Sequence, residues 1–229
     1  MNIKVIAFDA DDTLWVNEPY FQETEKKFCA LLEDYLPHHT VSQELFKTEI
    51  ANLSLYGYGV KGFILSMIET ALRVSNNTLN AVIIEKAIEY GKELLERPIE
   101  MLEGVEEVLK ALSGKYRLVV ATKGDLLDQE RKLKKSGIAH YFHHTEIMSD
   151  KQESDYLKLI KHLDVPAAAF MMIGNSLKSD VLPVLAIGAH GVHVPYHTTW
   201  AHEQVTHNID HPDFKQLQQI SEIIPYLLS

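Results

Sequence analysis

The stretch that decides the fold is Ile3-Lys4-Val5-Ile6-Ala7-Phe8-Asp9-Ala10-Asp11-Asp12-Thr13. Its first half is a short apolar run rich in β-branched residues, the pattern of a parallel strand buried on both faces. The run stops at Asp9, so the reading predicts a strand whose C-terminal end carries Asp9 and Asp11. In open α/β sheets that edge is where ligands bind. Two carboxylates two positions apart repel one another when both are ionised, and a bound divalent cation relieves the repulsion. One can then attack as a nucleophile while the other gives and takes a proton. Asp and Thr are also turn formers, so a plain turn is the competing reading of the same residues.

Outward from this stretch the rhythm changes twice. From Tyr20 to Arg97 apolar residues recur at intervals of three and four, as in the helical face Phe21-Glu25-Phe28-Leu32-Leu36. Leu45–Tyr56, Phe63–Leu72 and Val82–Leu95 read as three further helices, with Asn76-Asn77-Thr78 as the turn and cap before the last. After Pro98 helix and strand alternate. Helices are expected at Val105–Leu112, Leu126–Lys135, Tyr156–Leu163 and Val181–Ile187, with a terminal helix within Phe214–Leu228. Strands are expected at Tyr116–Ala121, His144–Met148, Ala168–Ile173 and, as the last, Gly191–Val194. This alternation predicts an α/β class protein, a Rossmann-like parallel sheet with helices on both faces. An all-α insertion interrupts it, so the expected domains are residues 1–15 plus 99–229 and residues 16–98. Glu18-Pro19 and Arg97-Pro98 mark the two junctions, where proline stiffens a linker or opens a helix.

Composition bounds the function. Of 229 residues, 46% are hydrophobic and 24% charged, ordinary for a soluble globular chain. The net charge of −10 makes nucleic acid a poor partner. Apolar runs fall far short of the ~20 residues of a membrane span, and the first residues lack a signal-peptide pattern. The lone Cys29 precludes an intrachain disulfide, reads as a core thiol, and suits a reducing, cytoplasmic setting. A monomer or homodimer is expected. His190, His193 and His197 straddle a strand and Pro195, and His143-His144 sits at a strand edge. The histidines are therefore read as structural or surface residues rather than transition-metal ligands.

Three more strand ends carry chemistry. Thr122 closes the strand Leu118-Val119-Val120-Ala121, where a hydroxyl can hold a phosphoryl oxygen, and Asp125 reads as the N-cap of the next helix. Lys151 precedes a helix, where it either offsets charge on an anionic substrate or is simply solvated. Gly174-Asn175-Ser176-Leu177-Lys178-Ser179-Asp180 follows another strand, and Asn175 and Asp180 are hard oxygen donors suited to Mg²⁺. Ser179 or Asp180 could equally cap the helix expected near Val181.

In series, Asp-x-Asp-x-Thr, the Thr, the Lys and the Gly-x-x-x-x-x-Asp box resemble the haloacid dehalogenase superfamily. The helical insertion lies where that superfamily's helical (type 1) cap lies. The resemblance spans essentially the whole chain and implies that the first strand is central. It also implies roles: Asp9 as nucleophile, Asp11 as acid/base offering its backbone carbonyl to Mg²⁺, Thr122 and Lys151 as holders of the phosphoryl group, and Asn175 and Asp180 completing the metal site. Two departures stand out. Asn175 occupies a position where the family usually has Asp, and Gln152 stands where a Pro often follows the Lys.

Asp11 favours phosphoryl chemistry over dehalogenation, because an alkoxide leaving group needs a proton and a halide does not. The expected activity is a Mg²⁺-dependent phosphatase acting on a small phosphorylated metabolite. The alternatives are a phosphomutase of the same superfamily and a phospho-acceptor protein with little turnover. Lys123 adds local positive charge. In the insertion, Tyr56-Gly57-Tyr58-Gly59-Val60-Lys61-Gly62 reads either as an ordinary helix–helix loop or as a substrate contact through Tyr58 and Lys61.

Overall fold

Val5–Phe8 forms strand β1, and all four residues are buried. Ile6 and Phe8 point into one hydrophobic core and Val5 and Ala7 into another. This is why the run is apolar at every position rather than at alternate ones. The computed structural model describes residues 2–228. Met1 and Ser229, the outer ends expected for the α/β segments, lie outside the described residues.

The chain then forms helices α1 (Glu18–Leu31), α2 (His38–Tyr56), α3 (Val60–Val74), α4 (Ala81–Glu96) and α5 (Val105–Leu112). It continues as β2 (Arg117–Lys123), α6 (Leu126–Ser136), β3 (His144–Met148), α7 (Glu153–His162) and β4 (Phe170–Gly174). It ends with α8 (Leu182–Ala186), β5 (His190–His193), β6 (Phe214–Gln216) and α9 (Ile223–Leu228). The strands make one sheet in the order β3-β2-β1-β4-β5-β6, parallel throughout. Strand β1 is therefore interior, paired with β2 on one side and β4 on the other. Residues of α5, α6 and α9 line one face of the sheet, and residues of α7 and α8 the other.

The chain divides into two compact units, Met1–Glu18 with Ile99–Ser229, and Pro19–Pro98. Residues 16–18, grouped with the insertion in the sequence reading, belong to the α/β unit. The Val16 N–H donates to the Glu100 carbonyl, and the Asn17 and Glu18 N–H groups donate to Asp12. The helical unit has its own core, including Phe28, Cys29, Leu45, Phe63 and Met67. Burial pushes the Cys29 thiol up to about 12, as befits an inert core residue. No helix among the described residues is long and apolar enough to cross a membrane.

Four expectations need correction. The last strand is not at residues 191–194, because β6 follows it. Phe214 is half-buried while Lys215 and Gln216 are exposed, so this short charged edge carries no apolar run to read. The terminal helix is correspondingly reduced to α9. The helix expected at Val181–Ile187 is preceded by a π-type turn at Leu177–Val181, and its cap is neither Ser179 nor Asp180. Ser176 caps that turn by accepting from the Ser179 N–H at 3.0 Å. Finally, α4 is capped by Asn80, which accepts from the Val82 N–H at 3.0 Å, and Asn76-Asn77 form a left-handed turn instead. Asp125 does cap α6, accepting from the Asp128 N–H.

Candidate active site

The C-terminal ends of β1 and β4 are neighbours in the sheet, and the chemistry gathers there. The Asp9 N–H donates to the Ile173 carbonyl at 2.9 Å, carrying the ladder one residue past β1 and fixing where the Asp9 side chain leaves the sheet. Lys151, in the loop between β3 and α7, is 2% exposed. Its ammonium donates to Asp9 Oδ1 at 2.5 Å and to Asp180 Oδ1 at 2.6 Å. Asp9 Oδ2 accepts from the Thr13 hydroxyl at 3.1 Å. Asp180 Oδ2 accepts from the Ser176 N–H at 3.0 Å.

Burial pushes the Asp9 carboxyl up to about 7, outweighing the pull of the Lys151 ammonium, and the nearby Asp180 adds to the rise. Burial opposes the charge on Lys151 too, but Asp180 and Asp9 together hold it well above its ordinary value. The ammonium is thus the fixed charge of the buried trio, and the two carboxylates are drawn to it.

Space for this arrangement comes from Gly174. A Cβ there would lie 2.1 Å from Asp180 Oδ2 and 2.3 Å from its Cγ, so any side chain at this position would displace the carboxylate from Lys151. Asn175 is anchored at both ends. Its N–H donates to the Thr13 Oγ1 at 3.1 Å, its Oδ1 lies 3.3 Å from the same hydroxyl, and its backbone carbonyl lies 3.0 Å from His193 Nε2. Thr122 lies near the end of β2 and is 2% exposed. Among the described residues its hydroxyl makes a long 3.5 Å contact with the Lys123 carbonyl, which leaves it available to another acceptor.

Asp11 is held differently. Oδ1 accepts from the Trp15 indole N–H at 2.7 Å and from Lys132 at 3.0 Å, and Oδ2 accepts from Gln129 at 2.8 Å and Lys132 at 3.1 Å. All of these groups donate, so the carboxylate acts here purely as an acceptor. Asp12, at a left-handed φ of 61°, turns away and receives the Asn17 and Glu18 N–H groups. Burial lifts its carboxyl to about 8, against the effect of those two bonds.

Lys123 donates to Glu203 Oε1 at 2.6 Å and to the Ser179 hydroxyl at 2.8 Å. Glu203 Oε2 accepts from the Ser176 and Ser179 hydroxyls, each at 2.5 Å. Burial works against the Glu203 charge, yet Lys123 and these bonds bring its carboxyl down to about 2. Gln152 caps α7. Its N–H donates to Asp155 Oδ2 at 3.2 Å in a capping box, a bond that a proline at this position could not make.

The structure therefore brings Asp9, Lys151, Asp180 and, through Thr13, Asn175 into one bonded cluster. Asp11 lies two residues beyond on the same loop, and Thr122 is the last residue but one of the neighbouring strand, which ends at Lys123. Lys123 is anchored on Glu203 and Ser179. Tyr58 and Lys61 lie in the helical unit, before and within the first turn of α3. Gln129, Lys132 and Glu203 were not singled out by the sequence, and His193, read as a structural residue, is one, through its contact with the Asn175 carbonyl. Gln129 and Lys132 share a face of α6, read as a charged amphipathic helix, and Glu203 ends a single 3-10 turn, Ala201–Glu203, 27 residues from Ser176.

A family profile described as haloacid dehalogenase-like hydrolase matches residues 3–188. The chain belongs to the haloacid dehalogenase-like hydrolases. A haloacid dehalogenase-like family hydrolase from Xanthomonas campestris is 38% identical to this hydrolase, with a TM-score of 0.88, over 98% of this chain and 90% of that one. A predicted phosphoglycolate phosphatase from Haemophilus somnus is 18% identical, with a TM-score of 0.65, over 99% and 98% of the two chains. The L-2-haloacid dehalogenase from Xanthobacter autotrophicus, solved with chloropropionic acid covalently bound, is 11% identical, with a TM-score of 0.66, over 98% of each chain. The last two likenesses are ones of fold. No curated protein sequence matches significantly.

Proposed function

We propose that this hydrolase is a Mg²⁺-dependent phosphatase that cleaves a small phosphomonoester through an aspartyl-phosphate on Asp9. The observation that carries the reading is the buried cluster of Asp9, Lys151 and Asp180 at the ends of β1 and β4, with a second carboxylate, Asp11, two residues after the first. A dehalogenase has no use for that second carboxylate.

The donors around Asp9 fit magnesium. The carboxylates of Asp9 and Asp180 and the amide oxygen of Asn175 are all hard oxygens, and the resemblance adds the Asp11 backbone carbonyl. When bound, the ion would offset charge on the phosphoryl oxygens.

The protein's own groups do the rest. A carboxylate oxygen of Asp9 attacks phosphorus, the P–O bond to the leaving group breaks, and Asp11 gives that oxygen its proton. Asp11 then takes a proton from water as the water attacks the acyl phosphate, which returns Asp9 and releases inorganic phosphate. Lys151 and Thr122 hold phosphoryl oxygens throughout. Because Asp11 accepts from Trp15, Gln129 and Lys132, its turn as proton donor requires one of these to let go. On this reading the α/β unit is catalytic and the helical unit is a cap that sets substrate choice, with Tyr58 and Lys61 as its candidate contacts.

The test is hydrolysis of a panel of small phosphomonoesters with Mg²⁺ added and then chelated, by the wild type and by Asp9→Asn. Turnover that needs the cation and falls at least ~10⁴-fold in Asp9→Asn is expected. Phosphatase activity surviving in that variant removes the nucleophile.

A further inference from the structure

The geometry points to a second metal site, for a divalent first-row transition ion such as Zn²⁺, formed by His144, Glu146 and His162. These residues lie outside the cluster around Asp9 and take no part in the chemistry proposed there. Among the described residues they form a group whose ligand atoms all lie within 4.8 Å of one another.

The placement follows from the secondary structure. His144 and Glu146 are two apart on β3, so both side chains project from the same face of the strand. His162 ends α7 and sits against them. His144 Nε2 lies 2.8 Å from Glu146 Oε2, His162 Nδ1 lies 4.0 Å from the same oxygen, and the two imidazole rings are 4.9 Å apart.

Ligands of a tetrahedral ion bound at about 2.1 Å stand about 3.4 Å from one another. The present separations bracket that figure, so small side-chain rotations close the site with no backbone movement. Two imidazoles and one carboxylate suit zinc, nickel, cobalt or copper rather than magnesium, which prefers an all-oxygen shell. Three protein ligands leave a fourth position for water. His162 closes the C-terminal turn of α7, the negative end of the helix dipole, which favours a cation there.

Such an ion would tie the edge strand β3 to the far end of α7. The segment it closes, residues 147–161, carries Lys151. The site is therefore a brace for the element that supplies the buried ammonium, and its effect is on the stability of that element.

The test uses the full-length, metal-free chain in excess Mg²⁺, titrated with Co²⁺ and then Zn²⁺. The expected result is one Co²⁺ per chain with the visible absorption of a four-coordinate ion, displaced by Zn²⁺, together with a Zn²⁺-dependent rise in melting temperature. His162→Ala is the informative variant, since that side chain is 66% exposed and its loss should not disturb folding. It and Glu146→Gln should weaken binding by more than the ~100-fold upper end that follows loss of an outer partner. His207→Ala, an exposed histidine elsewhere, should bind as the wild type does. The inference is overturned if the wild type gives no such spectrum, or if His162→Ala and Glu146→Gln bind the ion as tightly as the wild type.

Discussion

Glu203→Gln should destabilise the protein in a way that depends on pH. The carboxylate is almost enclosed, its side chain 10% exposed, and it is bonded to Lys123, itself 16% exposed, and to two serine hydroxyls. Despite burial, these partners bring its carboxyl from 4.5 to about 2. At about 1.4 kcal/mol for each tenfold change in proton affinity, that depression corresponds to about 3 kcal/mol of folding free energy. Because the folded value is the lower one, this contribution is complete above pH 4.5 and is lost as pH falls towards 2. Glutamine keeps the shape and can still accept from one serine, but it cannot pair with the ammonium. Urea unfolding at pH 7 should therefore show the variant about 3 kcal/mol less stable, a fall in melting temperature of roughly 6–12 °C for a chain of this size. The gap between the two proteins should stay constant from pH 7 to 5 and narrow below 4.5. A difference under about 1 kcal/mol at pH 7, or one that does not narrow in acid, would show that the pair with Lys123 contributes nothing. Turnover should fall as well, since Ser176 and Ser179 flank Asn175 and Asp180.

Three further outcomes are expected. Asp11→Asn should slow hydrolysis of alkyl phosphates by roughly 10²–10⁴-fold, the usual worth of general acid–base catalysis, and slow p-nitrophenyl phosphate far less, because nitrophenolate leaves without a proton. Because the later attack of water needs Asp11 as base with either substrate, the comparison is made in kcat/KM, which ends at departure of the leaving group, and equal losses there would deny Asp11 its role as acid. Gly174→Ala forces a methyl group into the place of the Asp180 carboxylate, which is held by Lys151 and the Ser176 N–H and has nowhere to relax. About 1–3 kcal/mol of destabilisation by urea unfolding is expected, with loss of Mg²⁺-dependent turnover. Inorganic phosphate should bind measurably by calorimetry with Mg²⁺ present and at least ~10-fold more weakly after chelation, and equal affinity in both conditions would refute the coupling.

The sequence was most legible where function and fold use the same short run of residues. β1 is apolar at every position because both faces are covered, and the carboxylates follow directly at its end, so Asp9 and Asp11 announce themselves. Asn175, Asp180, Thr122 and Lys151 likewise sit within a few residues of a strand terminus, where chain order alone suggests proximity. Gln129, Lys132 and Glu203 were not legible, because what makes them matter is tertiary. Lys132 reaches Asp11 across 121 positions, and Glu203 reaches Lys123 across 80. Each is one polar residue among many, on an amphipathic helix or in a single 3-10 turn. β6 escaped for a related reason, since an exposed edge of three residues buries too little to leave a hydropathic trace. Position 152 shows the opposite case. The departure from the family pattern there is visible in the sequence, but the compensation, an N-cap bond to Asp155, is visible only in the fold.

The charges of the site explain why cation and anion should bind together. Asp9, Asp11, Asp180 and Glu203 meet Lys151, Lys132 and Lys123, which leaves one negative charge in excess when all are ionised. Asp12, with its carboxyl lifted to about 8, is mostly protonated at neutral pH and adds little. Each ammonium is already paired, so a phosphoryl dianion arriving alone finds no uncommitted positive charge and meets a low-dielectric wall of carboxylates. On the proposed function, a divalent cation would reverse the sign of the excess, and Asp9 and Asp180, as its ligands, would then be less available to Lys151, whose ammonium could face the phosphoryl oxygens. Asn175 fits the same logic. An aspartate there would double the excess negative charge beside a carboxyl that burial already lifts to about 7, whereas the amide keeps an oxygen donor without that repulsion. On the proposed function, the amide would hold the metal more weakly in the resting protein than an aspartate would, so substrate and cation should reinforce each other's binding more strongly here than in an Asn175→Asp variant.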